Sequence, residues 1–311
     1  MKSKYTTKKI RNQEGISYTE KHLTPKSQQR FCECGNWIDF LADYEVSKMK
    51  VHQANFCKNR FCPMCAWRQS QKDAMKISIL MDYIEIEHDK TFIFLTLTAP
   101  NVMGEDLKSE ITWYNKAFKK LVERDEVKKV NQGYIRKIEI TYNAYRNDYH
   151  PHFHCVFAVN KSYFKSRDYI NQSEWLTLWR EVMNDETITQ VDVRRVKKNN
   201  INSSSRNKAI NEIAKYSAKD DDYFISQDIF DVFYTVLKGR QVITFNGLFS
   251  LANKKYKSKE LDYYKTFDET KYVWLILNQW GGSEYIEKRR KQVSEDEYKE
   301  LKKESIDEMS I

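Results

Sequence analysis

The side chains best suited to chemistry lie in HPHFHCVFAV, His150 to Val159, where three of the chain's six histidines fall within five positions. Side chains alternate along a strand, so Pro151, Phe153, Cys155, Phe157 and Val159 share one face. His150, His152 and His154 share the other. The first face suits a core. On the second, two neutral imidazoles two residues apart make a ready bidentate metal site. The plainer reading is three partly exposed histidines on an edge strand, or a hydrogen-bonded polar patch.

A second group is the cysteine block Cys32, Cys34, Cys57, Cys62 and Cys65, whose last three form a C-x4-C-x2-C cluster. Thiolates suit tetrahedral Zn²⁺, and a structural site takes four closed ligands. Five candidates compete for four places. Cys34 precedes Gly35, which can turn the chain tightly, so Cys34 is preferred to Cys32 as the fourth; His52 is a lesser alternative. The bland reading is a set of buried thiols. A third group lies in RNKAINEIAKYSAK, where Glu212, Tyr216 and Lys219 sit at i, i+4 and i+7 of an expected helix and so share a face. A half-buried tyrosine is commonplace; the carboxylate one turn before it and the lysine one turn after it set Tyr216 apart.

These groups need elements to position them. Thr91 to Ala99 reads as a strand, Glu105 to Glu123 as a helix, and Tyr134 to Tyr142 as a strand. The histidine strand follows a short turn-rich link, as antiparallel neighbours do. With the turn centred near Arg146 and Asn147, Glu139 lies across from His154 and Thr141 from His152. Glu139 is then the third ligand, or else a solvated carboxylate paired with Lys137 or Thr141. Two histidines and a carboxylate with open positions favour Mn²⁺ or Mg²⁺, and Zn²⁺ also fits. Ser173 reads as the N-cap of a helix over 174–184, with Trp175, Leu178, Trp179 and Val182 inward. Thr187 to Val196 reads as a strand, and 206–219 as the helix carrying Tyr216. KKNNINSSS between them is a solvated connector or a DNA-contacting loop.

The order strand, helix, strand, strand, helix, strand is ferredoxin-like: α+β, an antiparallel sheet with helices on one face. It leaves the histidine face open. The expected organisation is a flexible basic arm over 1–29, a zinc module with its linking helix over 30–88, a catalytic domain over 89–222 and a C-terminal region over 223–311, DNA- or partner-binding. Within that last region the tail from Glu284 reads as charged and helical.

Composition bounds the partners. The 311 residues carry 53 Lys plus Arg against 44 Asp plus Glu, a net +9, with 20 Tyr, 16 Phe and 7 Trp. Cationic grooves with stacking aromatics suit nucleic acid, single strands above all. No apolar run approaches the roughly 18 residues a membrane helix needs. The N-terminus lacks a signal peptide's apolar core. Five of the cysteines precede residue 66, which fits a reducing cytoplasm and a metal better than disulfides.

Taken together, Cys34-Gly35, FCKNRFCPMCAWRQSQK, FLTLTAP, RKIEITYN followed by HPHFH, and EIAKYSAKD resemble the rolling-circle replication initiator (Rep) proteins of small bacterial plasmids, in the HUH endonuclease superfamily. The likeness covers roughly residues 30 to 260. It implies a divalent metal held by His152 and His154, with Glu139 resembling a third ligand. It implies Tyr216 as the nucleophile that forms a 5′-phosphotyrosine, Glu212 as the acidic residue of termination, and Lys219 as an aid to phosphate charge. The implied partners are single-stranded or hairpin origin DNA, flanking duplex, and a host helicase and polymerase. Cys32 is an extra thiol relative to the family, and AWRQSQK is less basic than the family's run. A relaxase- or transposase-like nuclease of the same superfamily, a non-enzymatic zinc DNA-binding regulator and a generic metal nuclease are the alternatives.

Overall fold

The computed structural model describes residues 2–197, 205–215, 217–265 and 268–304. In chain order the helices are α1 (Lys2–Glu14), α2 (Ile16–Thr19), α3 (Pro25–Cys32), α4 (Pro63–Glu87), α5 (Leu107–Val122), α6 (Asp125–Val130), α7 (Gln172–Met183), α8 (Ser205–Ala214), α9 (Asp220–Tyr223), α10 (Gln227–Leu237), α11 (Leu248–Lys257) and α12 (Glu295–Glu304). The strands are β1 (Trp37–Asp43), β2 (Met49–Ala54), β3 (Lys90–Thr98), β4 (Gly133–Asn143), β5 (Asp148–Asn160), β6 (Val191–Val196), β7 (Ile243–Phe245), β8 (Tyr272–Trp280) and β9 (Tyr285–Gln292).

The chain forms two units: Met1–Gln69 with Thr266–Ile311, and Ser70–Lys265. The division falls elsewhere than the sequence suggested. Residues 223–265 belong with the second unit, and the chain after 266 returns to the first.

The second unit carries the β3-α5-β4-β5-α7-β6 series on a sheet ordered β6-β3-β5-β4-β7, all neighbours antiparallel. Without β7 this is the ferredoxin-like order; β7 adds a fifth strand beside β4. The fold is α+β, as expected. On one face Phe153 and Phe157 of β5 meet Phe118 of α5, and Phe157 also meets Trp175 of α7. The buried stripe of α5, Leu107, Ile111, Tyr114, Ala117, Phe118 and Leu121, follows helical spacing.

The opposite face is not left open, contrary to the sequence reading. Phe92, Phe94, Val156 and Ala158 make half of it apolar, and apolar area must be covered. Residues of α4, α8 and α11, among them Leu80, Ile84, Ile210, Ile213 and Phe249, bury that half. By strand alternation the histidines continue this same face toward its other end.

Three boundaries shift for local reasons. Asn171, not Ser173, caps α7, through a reciprocal capping box with Glu174. The last strand starts at Val191 because Asp185 accepts from Thr187, and Arg180 and Thr98 donate to the carbonyls of Ile188 and Gln190. The Tyr216 helix ends at Ala214, and the carbonyl of Ser217 instead accepts from Ile140 N–H of β4 at 2.8 Å.

The first unit holds an antiparallel sheet ordered β2-β1-β8-β9. Residues 285–292, expected as helix, are a strand because Gly282, at φ +100°, turns the chain back so that Tyr285 pairs with Trp280. The expected flexible arm over 1–29 is largely helical, in α1, α2 and the start of α3, with Tyr5, Lys9, Asn12 and Thr19 buried.

Candidate active site and cysteine cluster

The β4–β5 hairpin sets the first cluster. Its register pairs Glu139 with His152, Thr141 with His150 and Lys137 with His154. This is two residues from the expected pairing of Glu139 with His154, because the turn is centred one residue earlier. A shift of two keeps every side chain on its face. Glu139, His152 and His154 therefore still converge. Glu139 Oε2 lies 3.0 Å from His154 Nε2 and 3.5 Å from His152 Nε2. All three residues are buried. Adjacent ligands around an octahedral ion with bonds of about 2.1 Å lie about 3.0 Å apart, so the spacing fits a small divalent cation.

The far sides of the rings are held too. His152 Nδ1 lies 3.3 Å from the carbonyl of His150, and His154 Nδ1 lies 3.3 Å from Thr96 Oγ1 on β3. Phe94 stacks on His154 with centroids 5.5 Å apart. A histidine that donates Nδ1–H presents the lone pair of Nε2 to a metal. Burial alone would push the Glu139 carboxyl up, but hydrogen bonds and charge from His152 and His154 outweigh it. They hold Glu139 well below the usual carboxylate range. His150 supports the cluster through its carbonyl and through its ring, which stacks on His152 with centroids 5.1 Å apart.

Glu212, at the C-terminal end of α8, reaches the same place. Its Oε2 is 3.7 Å from His154 Nε2 and 2.5 Å from Lys215 Nζ. Tyr216 lies outside the described residues. Its sequence neighbours are placed: Lys215 on Glu212, and Ser217 on Ile140, next to Glu139. Lys219 stands at the N-cap of α9, and its charge acts on Asp222. KKNNINSSS falls largely in 198–204, also outside the described residues.

Sequence reasoning gave no site role to Thr96 or Asp222, and took Lys137 only as a solvated partner of Glu139. Thr96 orients His154, and the alternation of FLTLT already put it on a polar face. Lys137 is buried, and burial pushes it down to about 8 against the pull of Asp73 and Glu139. Asp222 is pushed up by burial, with Glu139 adding and Lys219 opposing. Its Oδ2 is buried with no hydrogen-bond partner among the described residues.

In the first unit Cys34, Cys57, Cys62 and Cys65 come together, and Cys32 does not join them. Sulfur separations are 3.5 Å for Cys34–Cys65, 3.5 Å for Cys34–Cys62 and 3.7 Å for Cys57–Cys65. A tetrahedron with Zn–S bonds of about 2.3 Å has edges of about 3.8 Å, so the set fits zinc. Backbone N–H groups of Cys57, Lys58 and Asn59 point at the sulfurs of Cys34, Cys65 and Cys57. Gly35 makes the expected turn at φ +70°, and a Cβ there would fall 2.4 Å from Met64 Sδ. His52 is not part of the cluster. No helix among the described residues is long and apolar enough to cross a membrane.

The Rep_1 family model, described as Replication protein, matches residues 48–278. A Protein rep of Staphylococcus aureus is 49% identical over 225 residues, 72% of this chain and 96% of that protein. A Protein rep of Bacillus amyloliquefaciens is 37% identical over 248 residues, 74% of this chain and 73% of that one. A Protein rep of Lentilactobacillus hilgardii is 34% identical over 265 residues, 81% and 83% of the two chains. No solved structure matches.

Proposed function

The chain belongs to the Rep replication protein family, and on that premise we propose that it starts rolling-circle replication of a plasmid by nicking one strand of the origin. The observation that carries this reading is the convergence of His152 Nε2, His154 Nε2 and Glu139 Oε2, with Glu212 3.7 Å from His154. Three protein ligands on one side of an ion leave open positions for a scissile phosphate.

Mn²⁺ or Mg²⁺ bound there supplies Lewis-acid stabilisation of charge on the phosphate oxygens. Tyr216 is the nucleophile: its phenolate oxygen bonds to phosphorus while the bond to the 3′-oxygen breaks. The 5′-phosphate stays on the tyrosine, and the 3′-oxygen leaves to become, once protonated, a primer end. The ester keeps the phosphodiester's energy for religation. A free phenol, pKa about 10, is mostly protonated at neutral pH; a nearby cation such as Lys219 favours the phenolate. Once Tyr216 is esterified it cannot cut again. Glu212 instead activates water for the closing cleavage, and Lys215 holds its carboxylate.

Single-stranded DNA, from a hairpin extruded at the origin, is the substrate. Zn²⁺ at Cys34, Cys57, Cys62 and Cys65 is structural, since four thiolates leave no open position. Duplex contacts flanking the nick, a host helicase and polymerase, and the bacterial cytoplasm complete the reading.

The test is a denaturing gel of protein incubated with Mn²⁺ and an origin oligonucleotide, with mass spectrometry of the adduct. A covalent adduct on Tyr216, lost in Tyr216→Phe and on chelation, is expected. Glu212→Gln should nick at the normal rate and fail in release. Cleavage without an adduct would make the protein a hydrolytic metal nuclease instead.

A further inference from the structure

Helix α1 buries a stripe of Tyr5, Lys9 and Asn12, spaced i, i+4 and i+7, and each is 0% exposed. For a helix docking on an ordinary core this stripe is wrong. A lysine taken fully out of water costs several kcal/mol unless it is partnered. The partners are the cysteine cluster and its backbone. Lys9 Nζ donates to the carbonyls of Cys34, at 2.8 Å, and of Cys32, at 3.0 Å. Asn12 Nδ2 donates to the carbonyl of Phe31 at 3.2 Å and to Cys62 Sγ at 3.4 Å. Tyr5 completes the stripe: its hydroxyl accepts from Arg68 at 2.8 Å, and its ring packs on Trp67 and Phe40.

Four thiolates around Zn²⁺ carry a net charge of −2. An ammonium buried against them offsets half of it, and an amide N–H on sulfur spreads more. Both polar side chains of α1 therefore reach the cluster directly, Lys9 through its backbone and Asn12 through one of its sulfurs.

We propose that Lys9 and Asn12 form the outer layer of this metal site, so that metal binding and docking of the N-terminal helix are one linked event. The proposal rests on the four cysteines holding zinc, and it adds the identity of what stabilises the charged cluster. Groups that orient and neutralise metal ligands typically shift affinity by about 10- to 100-fold. Linkage runs both ways: whatever docking of α1 adds to metal affinity, the metal adds to docking.

Zinc affinity is measured on the full-length protein by equilibrium competition with a chromophoric chelator. Lys9→Met and Asn12→Leu should each weaken binding by about 10- to 100-fold. Gln13→Ala, on the exposed side of the same helix, should leave it unchanged. Where Lys9→Met does not fold, wild-type protein gives the second readout. On chelation the amides of Lys2–Glu14 should lose hydrogen-exchange protection together with those of 57–65. Wild-type affinity in both variants, or equal α1 protection with and without zinc, overturns the linkage while leaving the zinc site standing. A full-length protein that takes up neither Zn²⁺ nor Co²⁺ overturns the zinc reading and the linkage with it.

Discussion

Lys137→Met should make the second unit more stable. Lys137 is only 5% exposed, and burial brings its ammonium from an ordinary 10.5 to about 8. At about 1.4 kcal/mol per pH unit, that interval makes the charged side chain cost about 3 kcal/mol of fold stability at neutral pH. Asp73 and Glu139 attract the ammonium but do not offset its burial. The folded pKa lies below the unfolded one, so between pH 8 and 10.5 the unfolded chain binds more protons and stability rises with pH. Below pH 8 the whole penalty is present; above about 10.5 it is gone. Methionine has nearly the same length and no charge. Its advantage should be about 3 kcal/mol at pH 7, shrinking steadily from pH 8 to 10.5. Urea unfolding followed by tryptophan fluorescence reads this unit, because Trp175 and Trp179 are fully buried in it. Equal stability of the two proteins at pH 7, or a gap that does not change with pH, would refute the reasoning. Nicking should fall in the same variant. Lys137 lies two residues from Glu139, on the same strand face, and opposite His154, where a cation favours a phosphate. A loss of nicking alongside the gain in stability would mean that this charge trades stability for activity.

Thr96→Val keeps the shape of β3 but removes the oxygen 3.3 Å from His154 Nδ1; Mn²⁺ affinity and nicking should drop about 10- to 100-fold with the circular dichroism spectrum unchanged. Phe118→Ala empties the contact of α5 with Phe153 and Phe157 and should cost about 3–5 kcal/mol in urea unfolding. Asn171→Ala breaks the capping box of α7 and should cost about 1 kcal/mol by the same measurement, with metal affinity untouched.

What could be read from the sequence follows the range of the interactions involved. The strand over HPHFHCVFAV and the helix α5 are local patterns, and both stand in the structure, although the strand is buried on both of its faces. The cysteine cluster was readable because metal geometry restricts ligand spacing, and Gly35 marked the turn that brings in Cys34 rather than Cys32. The hairpin register was read two residues out, since turn-rich NAYRND does not say where its centre falls. The error cost nothing chemically, because a shift of two keeps Glu139 on the histidine face, where it reaches both imidazoles.

The failures have one cause. Helix α1 looked like a solvated arm because its buried stripe is Tyr5, Lys9 and Asn12, residues whose polar groups find their partners in the cysteine cluster and its backbone and in Arg68. Strand β9 looked like a charged helix because seven of its eight residues are exposed, leaving only Tyr285 buried; Tyr285 donates its hydroxyl to the carbonyl of Gly35 at 2.6 Å, some 250 positions away. The helix expected through Tyr216 stops at Ala214, and Ser217 gives its carbonyl to β4. Each segment obeys a partner distant in sequence, and hydropathy periodicity records only the preference of a segment for water or for apolar surroundings. Where the partner is a cysteine cluster or a strand edge, that preference is silent, and the element emerges only when both sides are in place.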